Sequence, residues 1–338
     1  MIKLLTTTLL ATSMLLATSL EKEALNAGLK AIPTNKTELL KLIQIPNDTI
    51  TDAKVVLGKQ LYFDPRLSKS GYISCNTCHN LSEGGDDGLE AALGHKWTTN
   101  PHNLNSPTVY NSVFNKKQFW DGRSPTLEDQ AQGPMQAAPE MAATKDHVVA
   151  TVTSMPEYLE EFKKAYGKNV KVSFEKIADT IAIFERTLVT PSAYDDFMNG
   201  DKNALNSAQK DGLKEFIKVG CVSCHNGVGI GGGMNILNVT ATYKFMNVGD
   251  FKGDKNGMVR VPTLRNITQT APYFHNGQIW NLQDAIKEMA RIQLGTTLSN
   301  KQASSIEEFL KALNGRKPKI IMPQLPASTD STPKPELN

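Results

Sequence analysis

Several things are scarce in this chain of 338 residues, and each scarcity excludes a class of protein. There is no basic block and no stripe of basic residues interleaved with aromatics, and the formal net charge is only +3. Nucleic acid is therefore not an expected partner. Alternating apolar and polar residues of the strand type are rare, so a sandwich or barrel is not expected. The longest apolar stretch, residues 4–20, is interrupted by too many Thr and Ser hydroxyls to read as a membrane span. Cysteine is nearly absent too: there are four.

All four cysteines lie in two copies of one pentapeptide, Cys75-Asn-Thr-Cys78-His79 and Cys221-Val-Ser-Cys224-His225. In Cys-x-x-Cys-His, two thiols bond the vinyl groups of a haem while the adjacent imidazole becomes an iron ligand. A zinc site built from both motifs would leave each neighbouring His unexplained. A thioredoxin-like redox loop would want a strand–helix frame, and disulfide staples would not need a His after each second Cys. The spacing therefore predicts two covalent haem c groups.

Met1-Ile2-Lys3 followed by the apolar run to Leu20 reads as a secretory signal over 1–22, cleaved near Ser19 to Glu23, although no clean Ala-x-Ala marks the site. A retained membrane anchor is the alternative. Export to the periplasm suits haem c attachment, and no membrane association is expected after cleavage. The remaining length suits two domains, and one motif falls in each half. The expected division is 35–170 and 171–315, followed by a proline-containing tail, 316–338, that is extended or disordered.

The fold is expected to be mainly α: two cytochrome-c-like haem domains with long cofactor-wrapping loops. Ser173 can cap a helix carrying Ile177, Ile181, Phe184 and Leu188 on one face, and Pro156 opens another. Asn281 can cap a third that carries Met289 and ends at Gly295. Ser305-x-x-Glu308 reads as a capping box for a fourth, ending at Leu313. The stretches 81–111 and 226–270 are too long for ordinary connectors, so they are expected to wrap the cofactors.

From about Leu57 to Leu313 the chain resembles the bacterial di-haem cytochrome c peroxidases, the family that includes the MauG-type enzymes. The resemblance rests on both haem motifs, Asn105-Ser-Pro-Thr108, Gln118-Phe-Trp-Asp-Gly-Arg123, Phe184-Glu-Arg-Thr-Leu188, Thr270-Ala-Pro-Tyr-Phe-His275-Asn-Gly277 and Met289-Ala-Arg-Ile-Gln-Leu-Gly295. It implies that His79 is the proximal ligand of a peroxidatic haem and His95 its removable distal ligand, with His102 as competitor. His147 keeps a surface reading. It further implies His225 and Met289 as axial ligands of a second, electron-relaying haem, with Met234, Met246 and Met258 as outsiders. His275 would lie beside that haem.

Two carboxylate and amide roles follow from the same resemblance. Glu128 matches a distal acid–base, with Asp129 as its rival, and Gln118 a pocket glutamine; without the resemblance, Glu128 reads as the charged first turn of a surface helix. Trp97, Tyr110 and Trp120 are all candidates for an inter-haem path. A calcium ion would be held by the Asn105 side-chain oxygen and the carbonyls of Thr270 and Pro272, an oxygen set suited to a hard cation.

The function implied is reduction of hydrogen peroxide to water, with electrons from a small cytochrome c or cupredoxin, by a homodimer. The distal His95 would be displaced when the second haem is reduced, helped by permissive backbone at Gly84-Gly85-Asp86-Asp87-Gly88. A non-catalytic di-haem electron carrier is the alternative of a different class. A MauG-like modifying oxidase fits less well, because that branch is expected to carry tyrosine at the position of Met289.

Overall fold

The computed structural model describes residues 19–45 and 48–337. Residues 1–18 of the expected signal lie outside the described residues. The expected cleavage window opens a helix, Leu20–Asn26, whose cap Ser19 accepts from the backbone N–H of Lys22. Leu20 and Ala24 of this helix pack into a core formed by much later parts of the chain.

The architecture is mainly helical. The sheet structure among the described residues is one antiparallel pair, Met234–Ile236 with Met258–Arg260, together with isolated bridges. No described helix is long and apolar enough to cross a membrane.

Local sequence explains most helix ends. Ser173 caps Phe174–Arg186 by accepting from Lys176 N, and Ile177, Ile181 and Phe184 are buried along one face. Pro156 opens Pro156–Tyr166, as expected. Asn281 caps Leu282–Met289, and a five-residue π-helical run, Ala290–Leu294, follows before Gly295. The helix expected from Ser305 begins earlier, at Asn300. Ser299 and Gln302 make the capping box, and Ala303, Ile306, Phe309 and Leu310 supply the buried face on which Ser305 is an interior residue.

The two largest hydrophobic clusters among the described residues form two main cores, each with one cysteine motif against it. The first unites Leu57, Leu61 and Tyr62 with Val148, Val152, Tyr158, Phe162, Ile177, Ile181 and Phe184, and Cys75 packs against it. The second unites Tyr194, Phe197, Leu213, Phe216, Ile306, Phe309 and Leu310, and Cys221 packs against it. Each core crosses its main helix pair at a glycine. A Cβ on Gly58 would lie 2.2 Å from the Thr180 carbonyl oxygen, and one on Gly212 would lie 2.1 Å from that of Ser305, so only glycine permits these backbones to approach.

The packing differs from a division at 170/171 in three places. Helix Phe174–Arg186 belongs to the first core. The N-terminal stretch joins the second, where Leu29 bridges to Gly227 and Ile32 N–H donates to Asp195 at 2.7 Å. The tail after 315 is extended and returns to the first: Arg66 donates to the Pro326 carbonyl at 2.8 Å, Ser154 and Thr332 hydroxyls pair at 2.9 Å, and Lys69 pairs with Glu336 at 2.9 Å. The two ends of the chain thus cross over, each clasping the core built mainly by the opposite half.

The long stretches 81–111 and 226–277 meet between the cores. Asn105 N–H donates to the His275 carbonyl at 2.8 Å. A Cβ on Gly84 would lie 2.4 Å from the Gln269 carbonyl oxygen, and one on Gly277 would lie 2.5 Å from Glu90 Cα. Gly84 is therefore wedged rather than free, and Gly85 packs against Tyr110 in the same way.

Candidate functional site

The first motif forms a single helical turn, Cys75–Cys78, with Ser74 as its cap and the Thr77 hydroxyl accepting from Ser74 N–H at 3.0 Å. His79 closes the turn through its N–H to the Cys75 carbonyl at 2.9 Å, and the buried Tyr62 hydroxyl donates to the His79 carbonyl at 2.7 Å. The backbone on both sides of the imidazole is fixed. Burial holds the His79 ring below its usual pKa, so it is neutral, as an iron ligand must be. Burial also pushes the Cys78 and Cys221 thiols up to about 12. Such thiols are not the activated thiolates of a redox loop, and no group of three or more His, Cys, Asp or Glu among the described residues is arranged to hold a metal ion as zinc sites do.

His95 lies on a loop tied to this motif, since Cys78 Sγ contacts the Leu93 carbonyl oxygen at 3.6 Å. Gly94 before it has no room for a side chain, with the Pro139 carbonyl oxygen 1.8 Å from where a Cβ would stand. Lys96 and Trp97 after it both take left-handed backbone, at φ 55° and 60°, a costly conformation for such residues. His102 is engaged elsewhere, with its Nδ1 2.9 Å from Asp250. His147 Nε2 meets the Arg66 carbonyl at 3.1 Å.

The two side chains expected to act on peroxide are committed to other partners. Glu128 receives two hydrogen bonds from Arg186, at 2.9 and 3.2 Å, and occupies the first turn of Leu127–Gln136, whose cap is Thr126. That is the charged first turn its local sequence describes. Gln118 is buried with its amide donating to the Ser112 carbonyl at 3.1 Å and accepting from Asn115 at 3.4 Å. Asp129 is exposed.

Glu140 is one of three carboxylates beside the first motif, with Asp87 and Glu185. Its Cα lies 2.9 Å from the Cβ position of Gly94, next to His95. Its charge bears on the Cys78 thiol, and burial raises its own pKa. Sequence reasoning missed it, although it is a lone acid in the apolar run Ala137-Ala-Pro-Glu140-Met-Ala-Ala143. Glu185 was missed as well. It is buried beside Cys75, burial pushes its carboxyl up to about 8, and its Oε2 has no partner.

In the second half, Gly220 in left-handed backbone ends Ser207–Val219 and turns the chain into Cys221–Ser223. His225 and Met289 both line one cleft, with Cys221, Cys224, His275 and Arg260 on its walls. Met234, Met246 and Met258 do not line it. Burial pushes both His225 and His275 down to about 4. Buried ring nitrogens of His95 and His275 have no hydrogen-bond partner among the described residues, which is not how satisfied core histidines look. A prosthetic group with a metal centre fits this donor set and this cleft.

Between the sites, the Asn105 amide nitrogen donates to the Pro272 and Phe274 carbonyls at 2.6 and 3.2 Å, while its buried Oδ1 has no partner. Thr270 and Pro272 line the same cleft. Trp120 Nε1 donates to the Asn105 carbonyl at 2.9 Å, and its ring centroid stands 6.4 Å from that of His275. Of the other two aromatic candidates, Trp97 is half exposed and stacked on Tyr72, and Tyr110 is buried with its hydroxyl on the Leu81 carbonyl.

Comparison with known proteins agrees with this geometry. The family model for di-haem cytochrome c peroxidase matches residues 52–203. The cytochrome c551 peroxidase of Pseudomonas aeruginosa is 43% identical over 96% of this chain and 95% of its own length. That of Nitrosomonas europaea is 46% identical over 82% of this chain and 85% of its own. The methylamine utilization protein MauG of Methylorubrum extorquens is 32% identical over 82% of each. Among solved structures, a MauG-like protein associated with microbial copper homeostasis superposes with a TM-score of 0.68 at 24% identity, covering 80% of this chain and 92% of the other, a likeness of fold. With both cysteine motifs inside the span shared with the Pseudomonas relative, the chain belongs to the di-haem cytochrome c peroxidase family.

Proposed function

We propose that this protein reduces hydrogen peroxide to water in the periplasm, taking electrons one at a time from a small cytochrome c or cupredoxin. The observation that carries this reading is the difference between its two sites. The second gathers His225 and Met289 in an apolar cleft, a ligand pair suited to storing and passing an electron, because a thioether raises a haem's potential. The first has a histidine on a strained loop, with Glu140 packed against that loop at Gly94 and its pKa raised by desolvation, which suits a ligand that leaves and a proton that moves. Bound at His79, a haem would supply the iron that accepts peroxide and splits its O–O bond.

The side chains around it supply the rest. Glu140, in place of Glu128, takes the proton from one peroxide oxygen and returns it to the departing one. Desolvation raises its pKa above the ordinary carboxylate value, the direction that favours holding a proton. His95 closes the first site until the 95–97 turn relaxes, and Trp120, bonded to Asn105 and facing His275, bridges the two sites. The orphaned Asn105 oxygen, with the carbonyls of Thr270 and Pro272, would hold calcium at the junction through neutral oxygens and water.

One redox titration followed by visible spectra, with peroxide added at each stage, tests the reading. Turnover that begins when one haem is reduced is expected. Reduction of both haems with no peroxide consumption at any stage would establish the electron-carrier alternative instead.

A further inference from the structure

Arg260 is 3% exposed, and no carboxylate among the described residues pairs with it. Its Nε donates to the Phe119 carbonyl at 3.1 Å, and its backbone N–H donates to the Trp120 carbonyl at 2.7 Å. The guanidinium carbon lies 5.6 Å from the Trp120 ring centroid, and the residue forms part of the wall of the second cleft. The contrast with Arg265 is informative. That side chain is also buried, but it makes two 2.8 Å hydrogen bonds to Asp195 and one of 2.6 Å to the Val228 carbonyl. A buried cation without an anion is strongly unfavourable, and burial alone already pulls the Arg260 guanidinium down to about 10. Its missing partner has to be an anion that enters the cleft and is held there.

We infer that Arg260 is the counter-charge of a haem propionate at the second site, and that by neutralising this carboxylate it raises the reduction potential of that haem. The inference rests on the assignment of a haem to the His225 cleft. Arginine suits the task because its planar fork matches a carboxylate and it stays charged where lysine would not. Phe119 and Trp120 fix the guanidinium from the protein side, so the propionate is held at the end of the cleft nearest Trp120. Without Arg260 the same carboxylate would place an unbalanced negative charge near the iron and favour the oxidised state.

The test uses the holoprotein with both haems counted first by pyridine haemochrome spectra; a count of one fails the two-haem assignment itself, independently of Arg260. In Arg260→Gln, the reduced-to-oxidised ratio of the second haem at a fixed ambient potential should fall by about tenfold or more, with the first haem unchanged and Arg260→Lys in between. A Gln variant that holds two haems and titrates as wild type overturns the inference. Should the variants fail to fold, infrared redox-difference spectra of wild type carrying ¹³C-labelled propionates decide: a guanidinium-paired, ionised carboxylate at neutral pH supports the assignment, and a protonated or unpaired one overturns it.

Discussion

Glu128 and Glu140 have opposite surroundings, and function follows the surroundings. A carboxylate taken up by the Arg186 fork is already occupied, whereas Glu140 stands against the His95 loop at Gly94 with its proton affinity raised by desolvation. Glu140→Gln should slow peroxide turnover by about a hundredfold or more with both haems retained. Glu128→Gln should cost about 1–3 kcal/mol of stability and little turnover; the reverse pattern in steady-state assays would restore Glu128 to the catalytic role. Glu185 makes a different prediction. Its folded-state pKa near 8 is above the ordinary value of 4.5, so the native state binds the extra proton, and stability should fall as pH rises through that window. Glu185→Gln should remove this component, which denaturant titrations at pH 5 and 8 would measure. At this scale the sequence was legible where covalent chemistry dictates spacing, as in the two cysteine motifs. It was illegible where a role depends on which partner a side chain finds: nothing local says that Arg186 reaches back to Glu128, or that Gly94 brings Glu140 beside His95.

Helix Ser207–Val219 crosses Asn300–Ala312 at Gly212, and a side chain there must push the backbones apart. Gly212→Val should destabilise the second core by about 2–4 kcal/mol in chemical denaturation followed by circular dichroism. A loss below 1 kcal/mol would mean that the helices stand further apart. The loop at His95 carries the other prediction at this scale. Its consecutive left-handed residues, Lys96 and Trp97, store strain that the closed position must offset. His95→Gly should therefore give a high-spin, peroxide-reactive first haem without prior reduction, visible by electron paramagnetic resonance. A wild type that is already high-spin when fully oxidised would rule out the gate. Helices with a cap and an apolar face were readable from sequence. The Asn300 start was less so, because Ser305 with Glu308 mimics a cap that Ser299 with Gln302 makes. The glycine cluster at 84–88 misled because permissive backbone can serve close packing as well as motion; Gly84 and Gly85 are wedged against neighbours.

Across the whole molecule, one cysteine motif packs against each of the two main cores, but the path of the chain ends was not legible. Apolar patterning marks what is buried and not against what, so neither the docking of Leu29 on the second core nor that of the tail on the first left a local trace. Shortening the chain after Met322 removes the Pro326, Thr332 and Glu336 contacts. Amide hydrogen exchange should then accelerate in Asp52–Phe63 and Lys145–Thr153 and stay unchanged in Ser207–Val219; uniform acceleration would mean that the tail holds both cores. The crossed ends also constrain assembly. The segment around Leu29 takes its seat on Gly227, some two hundred residues further along the chain, and the contacts of the tail complete the core that the earlier helices begin. A chain stopped short of the tail should therefore leave the first core, and the Cys75 that packs against it, less protected than the second.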